Sequence, residues 1–326
     1  MSVSDSKVVI VGPGAIGTLF AVRLQSSGIP VALAGSDPRA ARRFSSKPTR
    51  VYTKGNEFDE AFIRYMAGAS DLQRKSPEFL VFTVKAYDTE KAARQWKFLV
   101  GRETRVVSIQ NGLGNLEVLK RFFGPATKII CAVTSEASLI LSPGSVRHTA
   151  KGITKVAPLS KSSLYAAKRF AEMLQAAGLR SALKSDAHDI LWGKLVVNSA
   201  INPLSAITGL TNGGLLASEM TRKLLSEIAY ETYVVGKRAA HVNPDIEDAK
   251  DPGAYVMKAA KATAKNKSSM LQDILRSKRT EVDYINGAIC RLARKKKKRI
   301  GSLRAPLNEA MLSLVRALEK NKEMKK

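Results

Sequence analysis

The sequence contains few of the residues that build metal centres or disulfide frameworks. Its 326 residues include two cysteines and three histidines, and their spacing matches no metal-binding pattern. Cys131 and Cys290 lie far apart in the chain; one disulfide between them is conceivable, but two reduced thiols are the favoured interpretation. We therefore expect no metal ion and a cytoplasmic location.

Long hydrophobic runs are also missing from the sequence. No apolar run reaches the roughly 18–20 residues that a membrane-spanning helix needs, so we expect no membrane partner. The first residues enter a strand-like run without the basic and apolar regions of a signal peptide, so we expect none. Apolar residues make up 44% and charged residues 25% of the chain, as in globular proteins. The length predicts two domains.

Acidic residues are scarce relative to basic ones. The chain has 28 Asp and Glu against 54 Lys and Arg, which gives a formal net charge of +26. A field of this sign favours anionic ligands and, without specificity, nucleic acid. However, aromatic residues make up only 6% of the chain, and none interrupts the dense basic run at 294–299. The patterns of common nucleic-acid-binding domains are also missing, so nucleic acid is the least favoured partner. We predict a solvated loop over 294–305.

The first 185 residues alternate between two kinds of segment. Short β-branched or apolar runs predict strands at 7–11, 29–34, 78–84, 105–109 and 128–133. Segments with helical spacing lie between them at 18–26, 89–96 and 115–122. Such alternation is typical of parallel βαβ units. A late strand pair is predicted over 144–158.

A glycine pattern lies between the first predicted strand and the first predicted helix. It has the form G-x-G-x-x-G and consists of Gly12, Pro13, Gly14, Ala15, Ile16 and Gly17. In dinucleotide-binding proteins the first glycine permits the tight turn, the second lets the backbone approach a pyrophosphate, and the third lets helix and strand pack closely. The helix N-terminus then attracts phosphate. The pattern predicts a Rossmann-type α/β domain, and an ordinary glycine turn is the weaker alternative.

The end of the second predicted strand bears on the choice between NADPH and NADH. Gly35 and Ser36 are followed by Asp37 and then by Arg39, Arg42 and Arg43. Small residues followed by arginines suit a 2′-phosphate, whereas an acidic residue here would bind a ribose 2′-hydroxyl. Asp37 could also be only the N-cap of the next helix. We predict NADPH with Arg39 as a contact, and NADH stays open.

After about residue 186 the pattern becomes helical. Helices are predicted over 188–201, 217–240, 252–275, 281–294 and 307–322. We therefore predict a Rossmann NADP-binding domain over 1–185 and an all-helical domain over 186–326, to which the family resemblance described below assigns the substrate and the catalytic residues. An α/β fold with a helical C-terminal domain is the expected class.

The first of these helices carries a polar stripe. Lys194, Asn198 and Asn202 are spaced i, i+4 and i+8, so they share one helix face among apolar neighbours. A lined cleft and an outer solvated face are equally good interpretations of this pattern. We expect a kink or the end of the helix at Asn202, because Pro203 follows. Glu281 is favoured as a first-turn residue of a later helix rather than as a functional group.

Together these segments resemble the ketopantoate reductase (2-dehydropantoate 2-reductase) family. The resemblance covers nearly the whole chain. Its motifs are GPGAIG at 12–17, VKAYDT at 84–89, QNGLGN at 110–115, WGKLVVNSAINPLSAITGLTNG at 192–213, SSMLQDI at 268–274 and TEVDYINGAI at 280–289. The motifs after residue 192 are far more specific than the glycine pattern.

The resemblance implies an activity and a set of residue roles. Members reduce 2-dehydropantoate to (R)-pantoate with NADPH, on the route to pantothenate and coenzyme A, in a cleft between two domains. Lys194 matches the general acid, and Glu281 matches a glutamate where cofactor and substrate meet. Five positions match substrate-binding residues: Asn198, Asn202, Asn212, Asn266 and Ser269. Residues 12–17, Lys85, Asn111 and Ala137 match cofactor contacts.

Other functions stay open at this point. A reductase of another 2-keto acid on the same scaffold is the first alternative, because substrate choice depends on the shape of the cleft. A basic nucleic-acid-binding protein is the second and has the lower weight. Many family members have an arginine where this sequence has Ser36, so NADPH preference depends on the later arginines. Members are seen as monomers and as dimers, so a homodimer is allowed.

Overall fold

The computed structural model describes residues 6–53, 57–68, 75–124, 128–246, 251–300 and 303–323. Within helices, the side chains of residues 45, 296–300 and 322–323 are not described. The chain divides into two compact units. The first unit comprises Met1–Gln110 and Asn115–Ala187, and the second comprises Asn111–Gly114 and His188–Lys326. Four residues of the first half of the chain therefore belong with the second unit.

The first unit contains the strands that the structure describes. In chain order they are β1 (Val8–Val11), β2 (Val31–Ala34), β3 (Thr49–Tyr52), β4 (Phe58–Ala61), β5 (Arg64–Met66), β6 (Phe79–Phe82), β7 (Arg105–Ser108), β8 (Ile129–Thr134), β9 (Ala137–Ser142), β10 (Ser145–Ala150), β11 (Thr154–Pro158) and β12 (Ser181–Leu183).

Eight of these strands form one sheet in the order β12-β11-β8-β7-β6-β1-β2-β5. The six strands from β8 to β5 are parallel, and β11 runs antiparallel to β8. Every residue of β1, β2 and β6 is buried, as expected for a parallel sheet that is covered on both faces. The strand order reverses at β1, which lies between β2 and β6, and ligands of such sheets bind at the carboxyl ends beside this point.

Five α-helices accompany the strands of the first unit. They are α1 (Ala15–Ser26), α2 (Pro38–Ser46), α3 (Thr89–Trp96), α4 (Asn115–Phe123) and α5 (Leu164–Ala176). The buried face of α1, including Leu19 and Phe20, packs with Val8 and Ile10 of β1 in one hydrophobic core. On α5, Phe170 contacts Phe79 of β6, with ring centroids 5.1 Å apart. Helices thus cover the apolar strands that position the glycine pattern.

A second, four-stranded sheet has the order β4-β3-β10-β9. Both strands predicted over 144–158 exist, but the expectation that they pair is wrong. β10 pairs with β9 and β3 in the small sheet, whereas β11 pairs with β8 and β12 in the large one. The chain changes sheets between them, close to Gly152, where an added Cβ would lie 2.4 Å from the backbone nitrogen of Glu136.

The described part of the second unit contains helices and no strands. The helices are α6 (Ala187–Thr208), α7 (Glu219–Val235), α8 (Pro252–Ala262), α9 (Ser269–Leu275), α10 (Asn286–Ile300) and α11 (Pro306–Glu323), and a π-helical turn (Gly236–Ala240) follows α7. The predicted class, a Rossmann-type α/β region followed by a helical region, is confirmed. Among the helices that the structure describes, none is long and apolar enough to cross a membrane.

Two sequence predictions for this unit are wrong, and one alternative of a third is ruled out. The helix predicted over 252–275 is two helices, because residues 263–268 form a non-helical connection. The loop predicted over 294–305 is helical up to Ile300, although side chains of the basic run beyond Lys295 lie outside the described residues. Of the kink or helix end predicted at Asn202, the end is ruled out, because α6 continues through Pro203 to Thr208, and the kink stays a prediction.

Candidate functional site

The glycine pattern closes a tight turn between β1 and α1. Gly12 has φ +115°, a value that favours glycine, and an added Cβ would lie 2.8 Å from the backbone nitrogen of Val84. A Cβ at Gly17 would lie 2.1 Å from the carbonyl oxygen of Gly12. At Gly14 an added Cβ would meet nothing within 4 Å. Gly12 and Gly17 are therefore required by packing, whereas the space at Gly14 is open to a ligand.

The helix that follows this turn suits an anion. α1 is 12 residues long, its N-cap is Gly14, and no side chain caps its first turn. The first N–H groups of a helix carry a positive partial charge and lack partners within the helix. The turn also lies at the carboxyl end of β1, where the strand order reverses. These features fit the pyrophosphate of a dinucleotide.

Gly35, at the end of β2, lies against the glycine turn. An added Cβ would lie 2.3 Å from the hydroxyl oxygen of Tyr65 and 3.1 Å from the ring of Pro13. Tyr65 is buried and stacks on Phe44 of α2, with ring centroids 5.1 Å apart. Only glycine fits at position 35, because the Tyr65 hydroxyl and the Pro13 ring occupy the space that a side chain would need.

Asp37 is the N-cap of α2, as one interpretation of the sequence predicted. Its Oδ1 accepts hydrogen bonds from the backbone N–H of Arg39 (3.0 Å) and from Arg39 Nε (3.2 Å). These hydrogen bonds hold the pKa of the Asp37 carboxyl below its usual value. The Arg39 side chain is 90% exposed. The carboxylate that could have bound a ribose hydroxyl is thus engaged by an arginine.

A buried polar network holds the loops after β6 and β7, and sequence reasoning did not identify it. Gln110 Nε2 donates to the carbonyl oxygen of Val84 (3.0 Å) and to Thr89 Oγ1 (2.7 Å). Thr89 Oγ1 donates in turn to Asn115 Oδ1 (2.8 Å). The hydrogen bond to the Val84 carbonyl holds the backbone directly before Lys85, a predicted cofactor contact. In the sequence, the only signal for this network was that its residues belong to the motifs VKAYDT at 84–89 and QNGLGN at 110–115.

Ala137, another predicted cofactor contact, begins β9 beside a buried acid–base pair. The preceding residue, Glu136, lies 2.5 Å from His148 Nε2 through its Oε2. Burial acts to raise the pKa of Glu136, but hydrogen bonds from His148 and from the backbone N–H of Gly152 outweigh it and hold that pKa below its usual value. The pair ties the start of β9 to β10, where His148 lies.

In the second unit, the polar stripe of α6 is not a solvated face. Asn198 and Asn202 are each 7% exposed, and Lys194 is half-buried. The other residues of this part of α6, such as Leu195 and Val196, lie in hydrophobic cores. The helix therefore presents a lysine and two amides within the structure rather than to bulk water.

A chain of hydrogen bonds joins three predicted site residues. Asn198 Nδ2 donates to Asn111 Oδ1 (3.3 Å), and Asn111 Nδ2 donates to Glu281 Oε2 (3.4 Å). Glu281 is 5% exposed. It lies in a turn before α10, so the expectation that it is a first-turn residue of a helix is wrong. Lys194 lies one helical turn before Asn198 on the same face of α6.

The segment 111–114 is held against the same turn. The backbone N–H of Leu113 donates to the carbonyl oxygen of Tyr284 (2.9 Å). Gly112 has φ +79°, and an added Cβ would lie 2.6 Å from that same oxygen. This close approach explains why glycine follows Asn111.

The remaining predicted substrate residues gather where the 263–268 connection meets the loop after α6. The backbone N–H of Asn212 donates to the carbonyl oxygen of Asn266 (2.9 Å), and Asn212 Nδ2 donates to Thr263 Oγ1 (2.9 Å). Asn212 Oδ1 is buried without a hydrogen-bond partner. Ser269 is exposed at the start of α9, whereas Ser268 caps that helix and reaches the carbonyl oxygen of Asn202 (3.5 Å).

The structure thus joins Asn198, Asn111 and Glu281 in one group of the second unit, and Asn212 and Asn266 in another. A groove of about 440 Å³ on the second unit, lined by residues such as Glu227, Tyr230 and Arg304, includes none of them. Among the residues described, no group of three or more His, Cys, Asp or Glu side chains could hold a metal ion.

Two family models match the chain. The one described as ketopantoate reductase PanE/ApbA matches residues 8–161, and the one described as ketopantoate reductase PanE/ApbA C terminal matches residues 186–319. The 2-dehydropantoate 2-reductase of Archaeoglobus fulgidus is 33% identical over 314 residues, covering 96% of this chain and 98% of the relative. The enzyme of the same name from Pyrococcus abyssi is 30% identical over the same length and coverage.

Solved structures share the fold. A PanE/ApbA family ketopantoate reductase from Ralstonia eutropha matches with a TM-score of 0.83 and 27% identity, over 97% of this chain and 99% of the other. A D-mandelate dehydrogenase in complex with NADH and anilino(oxo)acetate matches with a TM-score of 0.87 over the same coverage. At 23% identity the second likeness shows the fold alone. From its matching models and relatives, the chain belongs to the ketopantoate reductase family of oxidoreductases.

Proposed function

We propose that this protein reduces 2-dehydropantoate to (R)-pantoate with NADPH, as a step towards pantothenate and coenzyme A. The observation that carries the proposal is the partly buried chain of hydrogen bonds from Asn198 through Asn111 to Glu281, one helical turn from Lys194. Such a chain holds polar groups at fixed positions, as stabilisation of a charge that develops at a carbonyl oxygen requires.

Lys194 is the general acid in this proposal. A bound nicotinamide supplies the hydride that the reaction adds to C2 of the substrate. Negative charge then develops on the C2 oxygen, where the Lys194 ammonium stabilises it and donates a proton. Lysine suits this role because its ammonium is a compact charge that carries several protons.

The residues around Lys194 have supporting roles. We assign Glu281 the role of holding the lysine charged and oriented, since a buried carboxylate favours a nearby cation. Asparagine amides donate and accept hydrogen bonds without titrating, which suits recognition of a carboxylate and a hydroxyl. The assigned residues are Asn198, Asn202, Asn212, Asn266 and Ser269.

A nicotinamide dinucleotide fits the first unit. The open space at Gly14, the uncapped start of α1 and the held loop at Lys85 provide a place for its phosphates. We assign further cofactor contacts to Asn111 and Ala137. NADPH is favoured over NADH because Asp37 is engaged by Arg39, while Arg42 and Arg43 are exposed on the same helix.

The test is an assay of the purified protein with 2-dehydropantoate and each cofactor, following the loss of reduced cofactor absorbance. We expect turnover with both, and a higher kcat/KM with NADPH. Equal efficiency or a preference for NADH would overturn the role of the arginines. A panel of other 2-keto acids tests the alternative of a different substrate; faster turnover of one of them would replace 2-dehydropantoate. Gel filtration would test whether the protein is a monomer or a homodimer.

A further inference from the structure

Helix α6 contains a proline that leaves one of its carbonyl groups without a helical partner. Pro203 has no N–H, so it cannot donate to the carbonyl oxygen four residues earlier, which belongs to Ser199. A proline inside a helix usually kinks or ends it. Nevertheless α6 continues to Thr208, and Ser199 and Pro203 are both buried.

A side chain from another helix supplies the missing donor. Asn286, the first residue of α10, donates from Nδ2 to the carbonyl oxygen of Ser199 at 2.9 Å. The same Nδ2 donates to Asn308 Oδ1 at 2.9 Å, and Asn286 is fully buried. The amide therefore replaces the hydrogen bond that Pro203 cannot make.

The two ends of this hydrogen bond lie beside the candidate site. Ser199 directly follows Asn198 and precedes Asn202 by three residues on α6. Asn286 follows the turn that begins at Glu281, in which Tyr284 N–H donates to the carbonyl oxygen of Glu281 (3.0 Å). One amide thus joins the helix that carries the polar stripe to the segment that carries Glu281.

The amide of Asn286 is only half satisfied by hydrogen bonds. Asn286 Oδ1 is buried without a hydrogen-bond partner, an arrangement that lowers stability. An apolar residue would remove that oxygen, but it would leave the Ser199 carbonyl oxygen and Asn308 Oδ1 without the donor that Asn286 Nδ2 supplies. Asn286 is therefore needed for its Nδ2 donor, which an apolar side chain cannot replace.

We propose that Asn286 is a positioning residue for the reaction. By bonding the carbonyl that Pro203 leaves open, it sets the direction of α6 on both sides of the proline and fixes Asn198 and Asn202 relative to Glu281. This inference rests on the proposed function, since those residues are its assumed site. It gives Pro203 and Asn286 a joint role that neither would have alone.

The test compares Asn286→Leu with the wild type in the 2-dehydropantoate assay. Because small displacements of reacting groups lower rates strongly, we expect kcat to fall by about 10- to 100-fold. The KM for NADPH should stay within about twofold, since the glycine turn belongs to the first unit. Asp251→Ala, which removes the N-cap of α8, is the control: it should lower the Tm and leave kcat unchanged.

A second-site variant separates positioning from general damage. Pro203→Ala restores a backbone N–H at this point, so in the Asn286→Leu background it should recover much of the lost kcat. Hydrogen exchange should change in parallel with kcat. The backbone amides of 204–208 should exchange faster in Asn286→Leu than in the wild type, and more slowly again in Asn286→Leu with Pro203→Ala. If Asn286→Leu does not fold, Asn286→Leu with Asn308→Leu removes both partners of the amide–amide hydrogen bond, so that only the Ser199 carbonyl oxygen loses its donor.

The outcomes are distinct. Wild-type kcat in Asn286→Leu would overturn the proposal, and a fall in kcat that Pro203→Ala does not reverse would overturn the assignment to the Ser199 carbonyl. If the wild-type protein does not turn over 2-dehydropantoate, the proposed function fails by itself. The exchange rates of 204–208 then still decide whether Asn286 holds α6.

Discussion

The candidate ligand positions in the two units are formed by opposite kinds of residue. In the first unit the key positions are glycines, which are needed because they have no side chain. Gly12, Gly17 and Gly35 each border another group so closely that a Cβ would overlap it. In the second unit the key positions are buried polar side chains, among them Asn198 and Glu281, which are held by hydrogen bonds.

This contrast indicates how each unit should respond to substitution. Where backbone is presented, the size of a new side chain decides the effect, and its chemistry matters little. Where side chains are presented, removal of one functional group should abolish a chemical step and leave the fold intact. The following predictions test that contrast, beginning with the largest expected effect.

The largest effect is expected from Lys194→Ala. Loss of a general acid typically costs about 100- to 10,000-fold in rate. We expect a fall of that size in kcat for 2-dehydropantoate, with the unfolding transition close to that of the wild type. Lys223→Ala, at an exposed lysine of α7, is the matched control and should keep full activity. A loss smaller than about tenfold in Lys194→Ala would remove this lysine as the acid.

A smaller effect is expected from two glycine variants that differ in their surroundings. Gly14→Ala places a methyl group in open space, so the Tm should hardly change while the KM for NADPH rises, by about tenfold, because the methyl occupies the approach of the phosphates. Gly17→Ala forces a methyl against the Gly12 carbonyl and should lower stability by about 1–3 kcal/mol. Thermal unfolding and cofactor titration separate the two. Equal behaviour of the variants would contradict the contrast.

A modest effect on cofactor choice is expected from Arg39→Ala. The side chain is largely exposed, so water and salt weaken its attraction to a 2′-phosphate. The ratio of kcat/KM for NADPH to that for NADH should fall by about two- to tenfold, and the fall should shrink as salt is added. Lys47→Ala, an exposed lysine just after α2, is the control. An unchanged ratio would mean that other residues select the cofactor.

The smallest expected effect is on the stability of the first unit at acidic pH. Glu78 and Glu136 have lowered pKa values in the first unit, Glu78 through Arg169 and Glu136 through His148 and Gly152. A carboxyl whose folded pKa lies below its unfolded value of about 4.5 stabilises the fold above that pH. The contribution is lost as the pH falls through the folded value. Below about pH 4.5 the first unit should therefore weaken.

The two tryptophans make this measurable, because Trp96 lies buried in the first unit and Trp192 in the second. In Trp192→Phe the remaining fluorescence reports the first unit, and in Trp96→Phe it reports the second. We expect acid to unfold the first unit at the higher pH. Glu136→Gln should make its stability less dependent on pH in this range. Coincident transitions of the two probes would refute a separate acid response.

Most of the large sheet was predictable from the sequence, whereas in the small sheet only β10 was. β1, β2 and β6 are buried on both faces and therefore appear as continuous apolar runs. β4 has the sequence FDEA and is paired only with β3, so its residues alternate in exposure without a strong apolar signal. The break between α8 and α9 was also missed, because residues 263–268 contain neither glycine nor proline.

The candidate site was predictable only in part. The spacing of Lys194, Asn198 and Asn202 follows from helix geometry alone. By contrast, the hydrogen bond between Asn198 and Asn111 joins residues 87 positions apart and depends on the tertiary fold. The bond from Asn286 to Ser199 spans the same separation, and Pro203 alone pointed to a need for some donor. Local patterns identify which side chains share a face, and folding decides what they meet.

The grouping of Asn111–Gly114 with the helical unit has a practical consequence for dissecting the protein. A fragment expressed from His188 onwards would lack Asn111, so Asn198 and Glu281 would lose the amide that connects them. Its Tyr284 carbonyl would also lose the Leu113 N–H. Anyone who wishes to study the helical part in isolation would need to graft this tetrapeptide back, because cutting the chain at its obvious boundary also cuts the site.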